Sequence, residues 1–185
     1  KMELKKLKSI KQLINIYKLY HSSFPKEEKK PFLLILIGIL KKRFEVFSIE
    51  NETDGFIGLA IILKYNDLIL LDFFSISSDI RSRGYGSKVL NLLKEYYKNY
   101  RFFLEIENPY DVKSLNLEER KKRQKFYIKN GFTPLPFRAN LFGVEMEILS
   151  YDCTLNFEEY HSLHINQFNG FMKNIISKNV VLVKI

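Results

Sequence analysis

Residues 68–90 read Leu68-Ile69-Leu70-Leu71-Asp72-Phe73-Phe74-Ser75-Ile76-Ser77-Ser78-Asp79-Ile80-Arg81-Ser82-Arg83-Gly84-Tyr85-Gly86-Ser87-Lys88-Val89-Leu90. Leu68 to Ile76 is an apolar and aromatic run interrupted by Asp72 and Ser75, which predicts a buried strand. From Ser87 the pattern changes to helical spacing, with Val89, Leu90, Leu93, Tyr96 and Tyr97 on one face. Between the two lies Arg81-Ser82-Arg83-Gly84-Tyr85-Gly86. A strand feeding a glycine-containing turn at a helix N-terminus suits phosphate, because glycine lets the backbone approach and the first helical N–H groups have no internal acceptor. Arg81 and Arg83 add guanidinium groups matched to phosphate oxygens.

Two phosphate-binding patterns are excluded by residue. A dinucleotide fingerprint needs a third glycine where Val89 stands, and in a P-loop no residue separates glycine from lysine, whereas Ser87 separates Gly86 from Lys88. The pattern Arg81-x-x-Gly84-x-Gly86 resembles the pyrophosphate loop of the GNAT superfamily of acetyl-CoA-dependent N-acetyltransferases, Arg/Gln-x-x-Gly-x-Gly/Ala, with Ile76 where that family ends its fourth strand. By itself a six-residue pattern also fits an ordinary strand-to-helix turn. A second stretch, Phe126-Tyr127-Ile128-Lys129-Asn130-Gly131-Phe132, resembles the family's Tyr-x-x-x-Gly-Phe signature.

The resemblance implies a fold and a site. The expected fold is α/β (α+β): a mixed central sheet of about six to seven strands with antiparallel N-terminal strands, a parallel, splayed fourth and fifth pair, and helices on both faces. Residues 1–185 are expected to form a single domain, with a core at about 2–151 and a helical extension at 152–185. Acetyl-CoA is the implied co-substrate, held by Arg81, Ser82, Arg83, Gly84, Tyr85, Gly86 and Ser87, with its pantetheine arm along Phe74, Ser75 and Ile76. A backbone N–H of that strand end would face the oxyanion of the acyl-transfer step.

Composition sets outer bounds. The chain has 185 residues, 46% of them hydrophobic and 28% charged, which is ordinary for a globular domain. A formal net charge of +9 suggests an acidic partner such as coenzyme A, nucleic acid or a membrane surface, or simply a Lys-rich composition. The basic residues are scattered, with no aromatic-interleaved stripe, so nucleic acid is not the expected partner. Met2 to Lys8 lacks the apolar core of a signal peptide, and the longest apolar run, Phe32 to Leu40, is too short to span a bilayer. One cysteine, Cys153, excludes an internal disulfide; no membrane partner and a cytoplasmic location are expected.

Taken in order, residues 2–7 suggest a short strand. Ser9 to Tyr20 suggests a Ser9-capped helix with Ile10, Leu13, Ile14, Tyr17 and Tyr20 on one face. Pro31 opens a second helix to about Lys42, apolar nearly all round and so expected to be packed on more than one side. Phe44–Glu50 and Phe56–Leu63 read as an antiparallel pair, Phe102–Glu107 as a fifth strand parallel to the fourth, and Leu117–Asn130 as a helix with Asn116 as cap. Asn130-Gly131 closes that helix, and a hairpin follows at 133–142 and 144–151, with Pro134 and Pro136 favouring an edge for its first strand. Residues 157–177 are expected to be mostly helical.

In the family the signature tyrosine protonates the departing thiolate, which makes Tyr127 the general-acid candidate; the alternative is a packing role. An alkylamine is protonated at neutral pH, so a base must take a proton, and Glu105 is the first choice. Asp72, Glu107 and Glu28 are candidates for binding the acceptor, a small-molecule or peptide amine. Where the family often carries Asn and Ala, seven and four residues before the tyrosine, this chain has Arg120 and Arg123. The charged run 118–123 is expected to be a solvated helix face. His161 and His164 lack further ligands at metal spacing, so no metal is expected, and Cys153 lacks a base partner. Three functions are therefore compared: direct transfer of an acetyl group to a primary amine, a catalytically decayed CoA-binding or regulatory module, and a basic nucleic-acid-binding domain. An exposed final strand would allow a homodimer across a two-fold axis.

Overall fold

The computed structural model describes residues 1–24 and 29–183. Its elements are β1 (Met2–Lys6), α1 (Ile10–Ser23), α2 (Phe32–Leu40), β2 (Phe44–Asn51), β3 (Gly55–Tyr65), β4 (Leu68–Ile76), α3 (Tyr85–Tyr96), β5 (Arg101–Glu107), α4 (Leu117–Lys129), β6 (Phe132–Leu141), β7 (Val144–Tyr151), α5 (Phe157–Ile165), α6 (Phe171–Asn179) and β8 (Val180–Val183). The class is mixed α/β, as expected. Eight strands are present among the described residues rather than six or seven, because the apolar tail after α6 pairs as β8. Two compact units divide the chain: residues 1–64 with 71–98, and residues 65–70 with 99 onward. Among the described residues no helix is long and apolar enough to cross a membrane.

The first unit carries strands in the order β1-β2-β3-β4. β1 and β2 pair antiparallel, Met2 opposite Asn51, and β2 and β3 pair antiparallel, Phe44 opposite Leu63. β3 is buried without a break from Ile57 to Leu63, the pattern of a strand covered on both faces. At Gly58 an added Cβ would lie 2.5 Å from the Ser75 carbonyl oxygen, so only glycine permits this approach to β4. α1 begins as predicted, with a reciprocal capping box between Ser9 and Gln12. Its buried face is Ile16, Leu19 and Tyr20, however, while Ile10, Ile14 and Tyr17 are exposed. The helix has apolar residues at 10, 13, 14, 16, 17, 19 and 20, and such a broad stripe leaves its rotation open by about one residue. α2 also differs from expectation: Ile35 and Gly38 are buried, Gly38 against the Phe44 ring, but Leu33 and Leu40 are exposed. α3 buries Val89, Leu90 and Leu93, and Tyr96 and Tyr97 pack edge-on against Phe47.

The second unit carries β5-β7-β6-β8, with the first residues of β4 beside β5 and parallel to it. β7 pairs antiparallel with β5, Phe102 opposite Tyr151, and with β6, Phe132 opposite Tyr151. β6 is not an edge strand, because β8 pairs with it from Arg138 to Leu141. The prolines are accommodated in another way. The β6–β7 register shifts between Pro134 and Arg138, and β8 does not reach that stretch. The core gathers Phe102, Phe103, Leu104, Phe132, Ile148, Leu149, Tyr160 and Leu163. Gly131, at φ +84°, ends α4 in the left-handed conformation predicted for it.

Candidate active site

In the first unit β4 delivers the chain into the glycine turn. Ile80 is buried and pins the start of the turn, after which residues 81–84 are all exposed. Two of them are left-handed, Ser82 at φ +66° and Gly84 at φ +75°. For Ser82 that conformation costs about 1 kcal/mol, whereas Gly84 adopts it freely. Gly84 caps α3, which starts at Tyr85, two residues earlier than the periodicity suggests. No side chain caps this helix, so the first-turn N–H groups at Tyr85, Gly86 and Ser87 face outward without a capping acceptor. Arg81 is drawn back onto the strand end, its Nε donating to the Ile76 carbonyl oxygen at 3.1 Å.

A polar cluster braces the turn. The Tyr85 hydroxyl donates to Asp54 at 2.6 Å, and Asn51 Nδ2 donates to Asp54 at 2.8 Å and to the Tyr85 hydroxyl at 3.1 Å. Arg83 lies 3.5 Å from the other Asp54 oxygen. The hydrogen bond to Asp54 raises the Tyr85 pKa, so this phenol stays a donor. The side chain of Tyr85 is thus a brace for the loop, and its backbone N–H is the part turned to the helix entrance. Asn51 ends β2 and Asp54 directly precedes β3, so the turn between these strands supplies the brace.

Asp72 on β4 has a side chain only 4% exposed, and its carboxylate meets Lys30 Nζ at 2.5 Å. The ammonium sits 5.7 Å from the Phe44 ring centre and 5.6 Å from that of Phe73. Tyr20 donates to the Lys30 carbonyl oxygen at 3.0 Å, and burial, aided by Asp72, pushes its pKa upward. Further along β4, the Ser75 hydroxyl bonds Ser23 at 2.8 Å. Phe74 is half-buried.

In the second unit Tyr127 lies on the last turn of α4, with Phe126 and Phe132 packed around its ring. Burial pushes its pKa up to about 12, against a smaller opposing pull from Arg123. Among the described residues none hydrogen-bonds the Tyr127 hydroxyl. Glu105 accepts from the Tyr160 hydroxyl at 2.7 Å and lies 3.4 Å from His164 Nε2, all three being buried. Glu107 accepts from Arg120 at 2.7 Å, with Arg123 at 3.5 Å and Asn116 at 3.4 Å on its other oxygen. Arg120 is therefore not part of a solvated face. Asn116 occupies the cap position of α4 but does not cap with its side chain; its oxygen accepts from Arg120 at 2.7 Å. Among the described residues no group of His, Cys, Asp and Glu is arranged to hold a metal ion.

A family model described as the acetyltransferase (GNAT) domain matches residues 42–134, half of the chain. The chain belongs to the GNAT acetyltransferase family. A Bacillus subtilis protein, YjbC, described as a candidate acetyltransferase, is 29% identical over 119 residues; the match covers 64% of this chain and 57% of that protein. The chain thus spans little more than half the length of this curated relative. A candidate GNAT-family acetyltransferase from Bacteroides thetaiotaomicron superposes with a TM-score of 0.68 at 21% identity, covering 88% of this chain and 92% of its own. Spermidine N-acetyltransferase from Vibrio cholerae, solved with CoA and spermine, superposes with a TM-score of 0.60 at 15% identity, covering 80% and 94%. At these identities the likeness shows the GNAT fold.

The GNAT site candidates fall in both units. The turn from Arg81 to Ser87, the strand end Phe74–Ile76 and Asp72 lie in the first; Tyr127, Glu105 and Glu107 lie in the second. Glu28 lies outside the described residues. The uncapped N-terminus of α3, the open space beside Gly84 and the two arginines fit a pyrophosphate. Sequence reasoning missed Lys30, Tyr160 and His164 as partners of the candidate carboxylates. Each is separated from its partner by 42 to 59 residues, and periodicity carries no signal over such distances.

Proposed function

We propose that this chain transfers an acetyl group directly from acetyl-CoA to a primary amine of a small molecule or peptide. Acetyl-CoA supplies the activated thioester. The first-turn N–H groups of α3, with Arg81 and Arg83, hold its pyrophosphate; Phe74, Ser75 and Ile76 of β4 hold the pantetheine arm. Glu105, fixed by Tyr160 and next to His164, takes the proton that the acceptor amine must lose. Tyr127 returns a proton to the leaving thiolate.

The observation that carries this reading is the state of Tyr127. Its hydroxyl has no hydrogen-bond partner among the described residues to compete for its proton, and a phenol is protonated at neutral pH with or without the upward shift that burial gives it. Tyr127→Phe should lower kcat about 100-fold or more, in the range for loss of a general acid, with the affinity for acetyl-CoA unchanged. An unchanged kcat across the pH range overturns the assignment. A CoA-binding module without transfer is the second reading, favoured by Arg120, which stands at a position where the family often carries Asn and is committed to Glu107. It predicts acetyl-CoA binding with no acetylated amine formed. The spermidine enzyme's own substrate supports an amine as the acceptor class here.

A further inference from the structure

We propose that Asp72, Phe44 and Phe73 form a subsite for a primary alkylammonium group, which Lys30 of the same chain fills until an acceptor amine displaces it. The proposal rests on the amine-acetyltransferase reading and names how the acceptor is recognised. A carboxylate buried to this degree stays charged only beside a cation. Here that cation is an ammonium held by the carboxylate at 2.5 Å and by two ring faces within 6 Å. Both interactions are with the end group alone, so any R–CH2–NH3+ of similar reach can make them.

Lys30 itself is held loosely for a permanent partner. Its side chain is one-third exposed, it lies in neither helix nor strand, and it sits on a flexible alkyl stem. A Lys30 released from Asp72 keeps its backbone anchor, because Tyr20 bonds the Lys30 carbonyl oxygen rather than the side chain. Asp72 also lies two residues before Phe74 on β4, about 7 Å along the strand from the start of the segment proposed for the pantetheine arm. Tethered in this way, Lys30 competes at an effective concentration on the order of millimolar, so its removal should lower the KM for an alkylamine acceptor several-fold.

The test is thermal melting of the wild type, Lys30→Ala, Asp72→Asn and the double variant, each with n-butylammonium chloride, with equal NaCl and with n-butanol. Lys30→Ala should melt below the wild type and recover saturably with n-butylammonium, but not with NaCl or n-butanol; the double variant should show no recovery. Recovery no greater than with NaCl, or equal recovery in the double variant, overturns the subsite. Where Lys30→Ala does not fold alone, it is refolded with and without n-butylammonium: folded protein only with the amine supports the subsite, and none in either condition overturns it. Stabilisation by acetyl-CoA is measured in parallel. If acetyl-CoA stabilises the variants while butylammonium does not, the subsite alone fails; if acetyl-CoA does not stabilise the wild type, the acetyltransferase reading fails and the butylammonium result still stands as a test of the ammonium contact.

Discussion

Arg120→Ala removes the cation that closes Glu107. In the folded protein the two side chains are 13% and 9% exposed, and the guanidinium also bonds Asn116 at 2.7 Å and the Asn108 carbonyl oxygen at 3.4 Å. Removing one partner of a buried pair costs ~3–5 kcal/mol, because the other charge is left uncompensated. Arg123 and Asn116 remain on the second Glu107 oxygen, which brings the expected loss below that range, to about 2–3 kcal/mol. For a chain of this size that corresponds to a Tm lower by about 5–10 °C. Urea unfolding should give the same loss through a lower midpoint at constant slope. The control is Arg120→Met with Glu107→Leu, which removes both charges together and should recover to within about 1 kcal/mol of the wild type. If Arg120→Ala is neutral to within about 0.5 kcal/mol, or if the two changes simply add, the pair is not the coupled buried unit described here.

Other expected outcomes follow from single contacts. Gly84→Val places a β-branched residue at φ +75°, where it strains the turn by about 1–2 kcal/mol or more, and calorimetry should show acetyl-CoA binding weakened at least tenfold. Gly58→Ala drives a methyl group to 2.5 Å from the Ser75 carbonyl oxygen, and thermal unfolding should show a loss of about 1–3 kcal/mol. Because the folded-state pKa of Tyr127 is raised to about 12 from an ordinary 10, the unfolded chain releases this proton first as pH rises. Its contribution to stability is therefore intact below pH 10 and lost between pH 10 and 12. Urea unfolding at those pH values should show the wild type losing up to about 2–3 kcal/mol relative to Tyr127→Phe, and a difference independent of pH would contradict the burial of the phenol.

What was legible in the sequence follows from locality. The bounds of β4, a glycine-containing turn ahead of α3 and the left-handed Gly131 are set by adjacent residues, and local pattern predicts them, although α3 itself starts at Tyr85 rather than Ser87. The rotation of α1 was not, since seven apolar positions on fourteen residues describe a stripe too wide to fix a face. Nor was the exposure of Leu33 and Leu40: hydrophobicity all round a helix says what could be buried, and a nine-residue helix buried here only one side. Pro134 and Pro136 favoured an edge position for β6, but β8 pairs with that strand from Arg138 to Leu141, and a register shift against β7 accommodates the prolines. The pairings of Asp72 with Lys30, Glu105 with Tyr160 and Asp54 with Tyr85 come from the fold alone. They also alter the chemistry of the candidate site, because Asp72 and Glu105 are each already engaged by a residue the sequence did not single out.

The most direct test of the central claim is mass-spectrometric detection of N-acetylated product after incubation with acetyl-CoA and a panel of primary amines, with free CoA thiol followed in the same samples. The proposed function predicts at least one amine that gains an acetyl group in step with thiol release, with both signals lost in Tyr127→Phe. Folded protein that is stabilised by acetyl-CoA yet acetylates no amine and releases no thiol above background would contradict it.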